Sequence, residues 1–318
     1  MHAVTPTQQF GAESTTDEVL EGVDLSGQTV LVTGASAGLG VETVRAVAAH
    51  GASVIGVVRD TVKGQKALAE AGVDGDVRLV DADLGSLSSV RACADGLIAN
   101  TGRVDVVIAN AGVMGCPESK TTDGFETQFG TNHLGHFVLV NRLLPLLLAG
   151  PAGRIVNLSS AGHRFSDVSI DDPNFESTAY DPWVSYGRSK TANVLFSVEL
   201  DRRLHERGVR AAAVHPGGIM TELGRHMTDE TLASLQAARG ERKMTWKTVP
   251  QGAATSVWAA FVAPADEIGG RYCEDCAVSP AIDDQVQMPG VMRYALDADT
   301  AARLWAKSEE LVGESFPS

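Results

Sequence analysis

The hydrophobic residues of this 318-residue chain form short, nearly continuous runs separated by longer segments of helical periodicity. Uninterrupted β-branched runs are typical of strands buried on both faces, as in a parallel sheet covered by helices. The runs predict strands at Thr29–Val32, Ser53–Val58, Val77–Val80, Val104–Ala109, Arg154–Leu158 and Val209–Val214. Helical periodicity falls at residues 39–50, 61–71, 86–99, 122–149 and 185–207. This alternation predicts an α/β fold with a doubly wound parallel sheet and helices on both faces.

The chain is predicted to form one domain, since no segment rich in proline, serine or glycine divides it. This domain is expected to span residues 26–318 and to follow an N-terminal arm, loosely attached, at residues 1–25. Within it, the polar segment 222–248 is interpreted as a substrate lid and residues 273–318 as a C-terminal extension. The expected core anchors of the extension are Leu304, Trp305 and Leu311.

The charge of the chain restricts its partners. The formal net charge is -14 at pH 7, whereas nucleic acids and anionic membranes are bound by basic surfaces, so neither is expected as a partner. Residues 1–20 have neither the basic nor the apolar region of a signal peptide, and the longest apolar run, Phe137–Ala149, is too short to span a bilayer. We therefore expect a soluble, cytoplasmic protein.

The cysteine and histidine patterns do not predict a metal site. Cys273 and Cys276 have CxxC spacing, but no second cysteine or histidine pair accompanies them at the distance a zinc site needs. The two are interpreted as small residues on a strand and in the loop after it. Histidines near the motifs described below are interpreted as hydrogen-bonding residues of helices and loops: His133, His136, His163 and His215.

A glycine-rich turn follows the first predicted strand and precedes a predicted helix. The unpaired N–H groups and the positive end of the dipole at a helix N-terminus bind phosphate, and glycine allows the phosphate to approach the backbone. An ordinary tight turn would show similar residues, but the flanking strand and helix favour a dinucleotide site. The residues expected to contact the cofactor are Gly34, Ser36, Gly38, Leu39 and Gly40.

The end of the second strand is expected to select the cofactor. An acidic residue there binds the ribose hydroxyls of NAD, whereas an arginine binds the 2′-phosphate of NADP. The sequence has Arg59 followed by Asp60. NADP is therefore favoured, with NAD as the alternative if Asp60 faces the ribose.

Three further features point to a reacting centre, one of which is the serine pair Ser159 and Ser160 at the end of the fifth strand. Tyr186 and Lys190 are four residues apart in a predicted helix, so they share one face, and an ammonium beside a phenol favours the phenolate and lowers its pKa. Such a phenol is a competent acid or base, although a YxxxK pair also arises by chance. A serine hydroxyl after that strand could hold a substrate oxygen, and Asn132 lies within a helix, where an amide needs a polar partner.

Together and in this order, the motifs resemble the short-chain dehydrogenase/reductase family of the classical, Rossmann-type fold over residues 26–275. The pattern of residues 189–196 and the segment Arg303-Leu304-Trp305 resemble its retinol-dehydrogenase-like branch. The resemblance implies adenine contacts from Asp83 and Leu84. It also implies a sheet-stabilising, cofactor-binding motif and a nicotinamide loop, formed by Asn110, Ala111 and Gly112 and by Pro216, Gly217, Ile219 and Thr221.

The resemblance also implies catalytic roles. Tyr186 would be the general acid/base, and Lys190 would lower its pKa and bind the nicotinamide ribose. Ser160, rather than Ser159, would hold the substrate oxygen, and Asn132 would hold a water that relays protons. The implied activity is NAD(P)-dependent hydride transfer between the nicotinamide cofactor and an alcohol or an aldehyde or ketone.

The substrate is expected to be hydrophobic, and the enzyme to be a homo-oligomer, a dimer or tetramer as is usual in this family. An insert at residues 164–184, longer than in short family members, is interpreted as pocket wall through Phe165, Phe175, Tyr180 and Trp183. Further wall candidates are Met114, Met220, Leu223, Met227, Met244 and Trp246. Two alternatives remain: an inactive NADP(H)-binding redox sensor, and an epimerase or dehydratase of the extended relatives.

Overall fold

The computed structural model describes residues 10–224, 227–231, 233–234 and 246–316. Within these residues, eight strands form a sheet of order β10-β9-β6-β5-β4-β1-β2-β3, in which every neighbouring pair is parallel except β9 and β10. The predicted doubly wound parallel fold is thereby confirmed. The strands are β1 (Thr29–Thr33), β2 (Ser53–Val58), β3 (Val77–Asp81), β4 (Val106–Ala109), β5 (Gly153–Leu158), β6 (Val209–His215), β9 (Tyr272–Glu274) and β10 (Ala277–Val278).

Two short parallel pairs lie outside this sheet, and helices cover both of its faces. The pairs join β7 (Gly218–Ile219) to β8 (Trp246–Lys247) and β11 (Ala281–Ile282) to β12 (Val291–Met292). The helices are α1 (Thr16–Leu20), α2 (Gly38–Ala49), α3 (Thr61–Glu70), α4 (Leu87–Asn100), α5 (Thr127–Phe129), α6 (Gly135–Leu147), α7 (Pro182–Leu204), α8 (Val249–Val257), α9 (Ala265–Ile268) and α10 (Ala298–Val312).

The continuous hydrophobicity of the strands reflects burial on both faces of the sheet. In β1, Leu31 packs into the core on the side of α4, α6, α7 and α10, whereas Val30 and Val32 pack into the core with α1, α2 and α8. All three side chains are fully buried. Successive residues of a strand point to opposite faces, so a strand covered on both sides needs apolar residues at every position.

The predicted helix at residues 122–149 is shorter and interrupted. It begins only at Thr127, where the Glu126 carboxylate caps the backbone N–H groups of Gln128 and Phe129 at 2.9 and 2.7 Å. A π-helical turn, Gly130–Leu134, then separates α5 from α6. The apolar period continues through this turn, so the sequence pattern alone does not show the change in helical geometry.

The N-terminal arm is attached more firmly than predicted from residue 10 onward. Val19 and Leu20 of α1 are buried against the core. The Arg45 guanidinium on α2 bonds the carboxylates of Asp17 and Glu42 at 2.8 and 2.7 Å. This part of the arm therefore packs on the domain, because its short helix carries an apolar face that the polar composition of the first 20 residues obscures.

The C-terminal extension closes one face of the molecule through α10. Trp305 and Phe316 pack on Phe137 of α6 with ring centroids 5.0 and 5.5 Å apart. Glu314 forms ion pairs with Arg91 and Arg142 at 3.0 and 2.8 Å. The extension is therefore part of the core. Of the predicted lid, residues 225–226, 232 and 235–245 lie outside the described residues.

Among the described helices, none has the length and apolar character required to cross a membrane.

Because Trp305 is 3% exposed within the aromatic cluster, Trp305→Ala is expected to lower the free energy of unfolding by about 3–5 kcal/mol. Urea denaturation measures this change. Val62→Ala, at a position 74% exposed, is the control and should change it by less than about 0.5 kcal/mol. Similar small changes in both variants would show that α10 does not close the core.

Candidate active site

The turn after β1 forms a tight cradle at the carboxyl edge of the sheet. Gly34 and Gly38 have φ values of 73° and 52°, in the left-handed region that favours glycine. A Cβ atom on Gly40 would overlap the Gly34 carbonyl, so the start of α2 passes directly beneath the turn. The predicted glycines thus meet the requirement for close backbone packing at a helix N-terminus.

The segment after β4 supports this cradle. The Asn110 side-chain amide donates to the Thr33 carbonyl at 2.7 Å, and the Ala111 N–H donates to the Thr33 hydroxyl at 2.9 Å. A Cβ on Gly112 would lie 3.1 Å from Asn132 Oδ1 and 3.6 Å from Lys190 Nζ. This segment therefore connects the cofactor turn to the predicted reacting centre.

At the end of β2, the two candidate cofactor-selecting residues differ in their environment. Asp60 is the N-cap of α3, and its carboxylate accepts the Lys63 backbone N–H at 2.9 Å. Arg59 is exposed and lines the cleft in front of the turn. Across the same cleft, Asp83 turns its carboxylate onto the Gly85 N–H at 2.9 Å, and Leu84 is buried.

Tyr186 and Lys190 lie one turn apart in α7, and both are almost fully buried. The Asp181 carboxylate caps the start of this helix, and Pro182 occupies its first turn, a position that proline favours. The Lys190 ammonium donates to the Leu158 carbonyl at 3.0 Å and lies 5.7 Å from the centre of the Tyr186 ring. The helix therefore places both side chains against the end of β5.

The two serines after β5 have different environments. Both residues line the cleft, but the Ser159 hydroxyl is buried and donates to the Lys190 carbonyl at 2.8 Å, whereas the Ser160 hydroxyl accepts the Gly162 N–H at 3.0 Å. A Cβ on Gly162 would lie 2.6 Å from the Tyr186 ring, so this glycine allows the serine loop to approach the phenol. The environment favours the assignment of Ser160 as the substrate-facing serine.

Burial controls ionisation at this centre. It raises the pKa of the Tyr186 phenol to about 12, and the hydrogen bond from Ser160 only partly counteracts it. Burial also lowers the pKa of the Lys190 ammonium to about 8. The prediction that the phenol pKa lies below 10 is therefore wrong, because burial disfavours the charged phenolate.

Asn132 lies in the π-helical turn and is completely buried. Its side chain accepts the Val113 N–H at 2.8 Å and donates to the Val113 carbonyl and the Ser189 hydroxyl, both at 3.0 Å. The amide thus has the polar partners that its position in a helix requires. π-Helical turns are often found at functional sites, and this one brings Asn132 next to Lys190.

The loop after β6 completes the cleft. Thr221 approaches the cofactor turn, since a Cβ on Gly38 would lie 3.1 Å from its methyl group. Ile219 pairs with Lys247, whose ammonium forms an ion pair with Asp275 at 2.5 Å. Sequence analysis missed Lys247 and Asp275, because no motif links residues so far apart in the chain. The other predicted residues of this loop, Pro216 and Gly217, also line the cleft.

The predicted site residues line one continuous cleft of about 2680 Å³, except for Gly40 and the fully buried Asn132. The wall predictions are partly wrong. Phe175 and Tyr180 pack on each other at 5.1 Å, and neither lines the cleft, because Phe175 is drawn toward the Arg188 guanidinium at 4.0 Å. Met244 lies outside the described residues. The candidates that do line the cleft are Met114, Phe165, Trp183, Met220, Leu223, Met227 and Trp246.

The part of the chain that the structure describes contains no group of three or more histidine, cysteine or carboxylate side chains placed to hold a metal ion. The donors that the cleft offers fit a dinucleotide instead. Its glycine cradle leaves space that any Cβ would fill, a helix begins at that cradle, and Arg59 supplies an exposed cation beside it.

Comparisons with known proteins agree with this geometry. The model of the short chain dehydrogenase family matches residues 28–232. Retinol dehydrogenase 12 of Homo sapiens is 40% identical over 295 residues, which cover 92% of this chain and 88% of that protein. The short-chain dehydrogenase/reductase prx1 of Penicillium roqueforti is 39% identical over 297 residues, covering 92% and 87%.

Solved structures are similar over most of the chain. An uncharacterised protein from Mycobacterium paratuberculosis superimposes with a TM-score of 0.74 at 37% identity and covers 96% of this chain and 100% of its own. RhlG of Pseudomonas aeruginosa, in its NADP active-site complex, has a TM-score of 0.62 at 25% identity, with coverages of 79% and 95%.

Gly40→Ala is expected to weaken the binding of NADP by about tenfold or more, because the added Cβ displaces the Gly34 carbonyl and opens the cradle. Fluorescence titration with NADP measures the affinity. Gly96→Ala in α4, where a Cβ meets nothing within 4 Å, is the control and should raise stability by about 0.5–1 kcal/mol without affecting the affinity. An unchanged affinity in Gly40→Ala would refute the cradle assignment.

Proposed function

The chain belongs to the short-chain dehydrogenase/reductase family, in its retinol-dehydrogenase-like branch, and we propose that it transfers hydride between NADP and a hydrophobic alcohol or carbonyl compound. Membership of this family makes it an oxidoreductase that acts on CH–OH groups. The observation that carries the finer proposal is the convergence of Tyr186, Lys190 and Ser160 on the cleft, with Asn132 buried behind them against Ser189. When bound there, the nicotinamide cofactor supplies or accepts the hydride.

In the direction of carbonyl reduction, Tyr186 donates the proton that the substrate oxygen requires. Burial keeps the phenol protonated at neutral pH, and the close approach of Gly162 to the Tyr186 ring brings Ser160 and Tyr186 to the same end of the cleft. Ser160 orients and polarises that oxygen. In alcohol oxidation the phenolate form of Tyr186 would accept the proton of the substrate hydroxyl, and a positive charge nearby would favour that form.

Lys190 and Asn132 act behind the phenol. The ammonium of Lys190 is held by the Leu158 carbonyl beside Gly112, and it would bind the nicotinamide ribose of the cofactor. Asn132 is fixed by the Val113 backbone and by Ser189 one residue before Lys190. We assign Asn132 to a water-mediated route that returns protons to Lys190 and the phenol.

NADP is favoured over NAD for two reasons. Asp60 is engaged as a helix cap, which leaves Arg59 as the exposed group at the end of β2. Lysines 63 and 66 on the next helix also line this end of the cleft, where they form ion pairs with Glu222 and Glu70 at 2.8 and 3.7 Å. Arg59 would therefore hold the 2′-phosphate, and the solved RhlG relative is an NADP complex.

The substrate pocket supports a hydrophobic ligand. Phe165 and Trp183 pack against each other at 5.9 Å, and methionines 114 and 227 also line the cleft. Two or more apolar walls around a few polar groups are typical of sites for small hydrophobic molecules. An absorbance screen at 340 nm with NADPH and hydrophobic aldehydes and ketones, and with NADP and the matching alcohols, tests the activity.

Tyr186→Phe is expected to reduce turnover by at least about a thousandfold while leaving NADP affinity within about threefold, because only the transferable proton is lost. Steady-state kinetics and NADP titration measure the two effects. Tyr180→Phe, which removes a hydroxyl outside the cleft, is the matched control and should retain activity. Turnover within tenfold of the unaltered enzyme in Tyr186→Phe would reject the acid/base assignment.

Arg59→Ala should weaken NADP binding by about tenfold or more and NAD binding by less than about twofold, because only NADP carries the 2′-phosphate. Titration of the same protein with both cofactors gives the ratio. Arg207→Ala, an exposed arginine distant from the cleft, should change neither affinity. Equal losses for NADP and NAD would remove the phosphate role from Arg59.

A further inference from the structure

The peptide bond that joins Ser160 to Ala161 lies between two buried histidines. The Ser160 carbonyl accepts a hydrogen bond from Nδ1 of His163 at 2.7 Å, in addition to the His163 backbone N–H at 3.0 Å. On the opposite side, the Ala161 N–H donates to Nδ1 of His215 at 3.2 Å. His163 lies three residues after Ser160 in the chain, whereas His215 ends β6. Both polar ends of a single peptide are therefore held by imidazole rings.

The hydrogen-bond partners of the two imidazole rings require opposite tautomers. A carbonyl only accepts, so Nδ1 of His163 carries the proton, and its Nε2 accepts the Met292 backbone N–H at 3.1 Å. Nδ1 of His215 accepts the N–H groups of both Ala161 and Gly217, the latter at 3.3 Å, so its proton is on Nε2. Each ring thus has one acceptor nitrogen that must stay unprotonated.

We propose that His163 and His215 are positioning residues that clamp the Ser160–Ala161 peptide and so fix the Ser160 hydroxyl against Tyr186. This proposal rests on the catalytic role assigned to Ser160 above. A peptide bonded at one end rotates about its flanking dihedral angles, but a peptide bonded at both ends does not. The backbone from which the serine side chain projects is therefore held in one orientation.

His215 also connects the clamped peptide to the nicotinamide loop after β6. Its Nδ1 atom receives N–H groups from the segment after β5 and from Gly217 in the loop that is assigned to the nicotinamide. One imidazole nitrogen therefore sets the spacing between the substrate-binding serine and that loop. This spacing matters for hydride transfer, because displacing the reacting groups by about 1 Å can lower the rate by about a hundredfold.

The surroundings of the rings favour the neutral forms on which the clamp depends. His163 is fully buried and His215 is 8% exposed, and the Tyr272 ring lies against both at 5.0 and 6.5 Å. Burial lowers the pKa of His163 to about 4 and that of His215 to about 3. The charged neighbours, Arg164 and Lys247, act in the same direction.

A histidine retained only for core packing would not need these partners. Among the described residues, the ring nitrogens of the two histidines bond only backbone groups, which belong to four residues. Three of these residues, Ser160, Ala161 and Gly217, line the cleft. The fourth contact, from Met292, anchors His163 to the C-terminal extension. The two rings consequently connect the reacting centre to a rigid part of the core.

The tautomers can be measured without any substrate. In protein labelled with ¹⁵N-histidine, long-range ¹H–¹⁵N correlation spectra should show His163 protonated at Nδ1 and His215 at Nε2, both unchanged from pH 5 to pH 8. Spectra of variants at each position provide the assignment. The same tautomer on both rings, or titration of His215 in this range, would overturn the clamp.

Kinetics of His215 variants test its effect on catalysis. His215→Phe keeps a ring against Tyr272 but leaves two N–H groups unbonded, so kcat should fall by roughly tenfold to a hundredfold. His215→Asn places a carbonyl oxygen near the position of Nδ1 and should restore kcat to within about threefold. The exposed His205→Phe is the control. All values are expressed per NADP-binding site, so loss of folded protein does not contribute.

The outcomes separate the clamp from the proposed function. If His215→Phe and His215→Asn lose kcat equally, or if neither loses it, His215 does not position Ser160, although the oxidoreductase activity stands. If no carbonyl compound is turned over, the proposed function fails while the spectra still decide whether the peptide is clamped.

Discussion

The parallel pairing of the central strands is the constraint on which the site depends. Since β1, β4, β5 and β6 run in the same direction, the segments that follow them leave the sheet along one edge. The cofactor turn, the Asn110 motif, the serine loop and the nicotinamide loop are these four segments. Their order in the sheet therefore sets the order of cofactor and substrate contacts along the cleft.

Within that edge, the polar groups are held mainly by backbone atoms. Lys190 bonds a carbonyl, Asn132 bonds both polar groups of Val113, and the paired histidines bond the peptide after Ser160. Backbone partners are fixed by the fold itself, so they hold a side chain in one place without requiring a second ordered side chain. A site built in this way is organised before its ligands bind.

Much of the fold could be predicted from the sequence because its signals are local. A continuous β-branched run identifies a buried strand, and a glycine turn followed by a helix identifies the cradle, as β1 and Gly34 show. The pairs of residues that meet across the cleft could not be predicted. Lys247 and Asp275 contact each other 28 residues apart, and no periodicity relates them.

The prediction of ionisation failed for a related physical reason. The YxxxK spacing predicts an ammonium beside the phenol of Tyr186, and such a charge favours the phenolate. The spacing does not show how completely other parts of the chain bury this face of the helix. The covering comes from distant parts of the chain, as when Gly162 lets the serine loop close onto the ring. Burial of that kind opposes charge on Tyr186 and Lys190 alike.

A contact between residues distant in the chain also decides which aromatic residues of the insert line the cleft. Phe165 and Trp183 face the cleft because they flank Tyr186 at the ends of the insert, whereas Phe175 lies midway and packs under the Arg188 guanidinium instead. A cation over an aromatic ring is a favourable contact that competes with exposure to the pocket. The chemistry of the pocket wall therefore depends on charges outside it, so residue type alone does not identify the residues that meet the substrate.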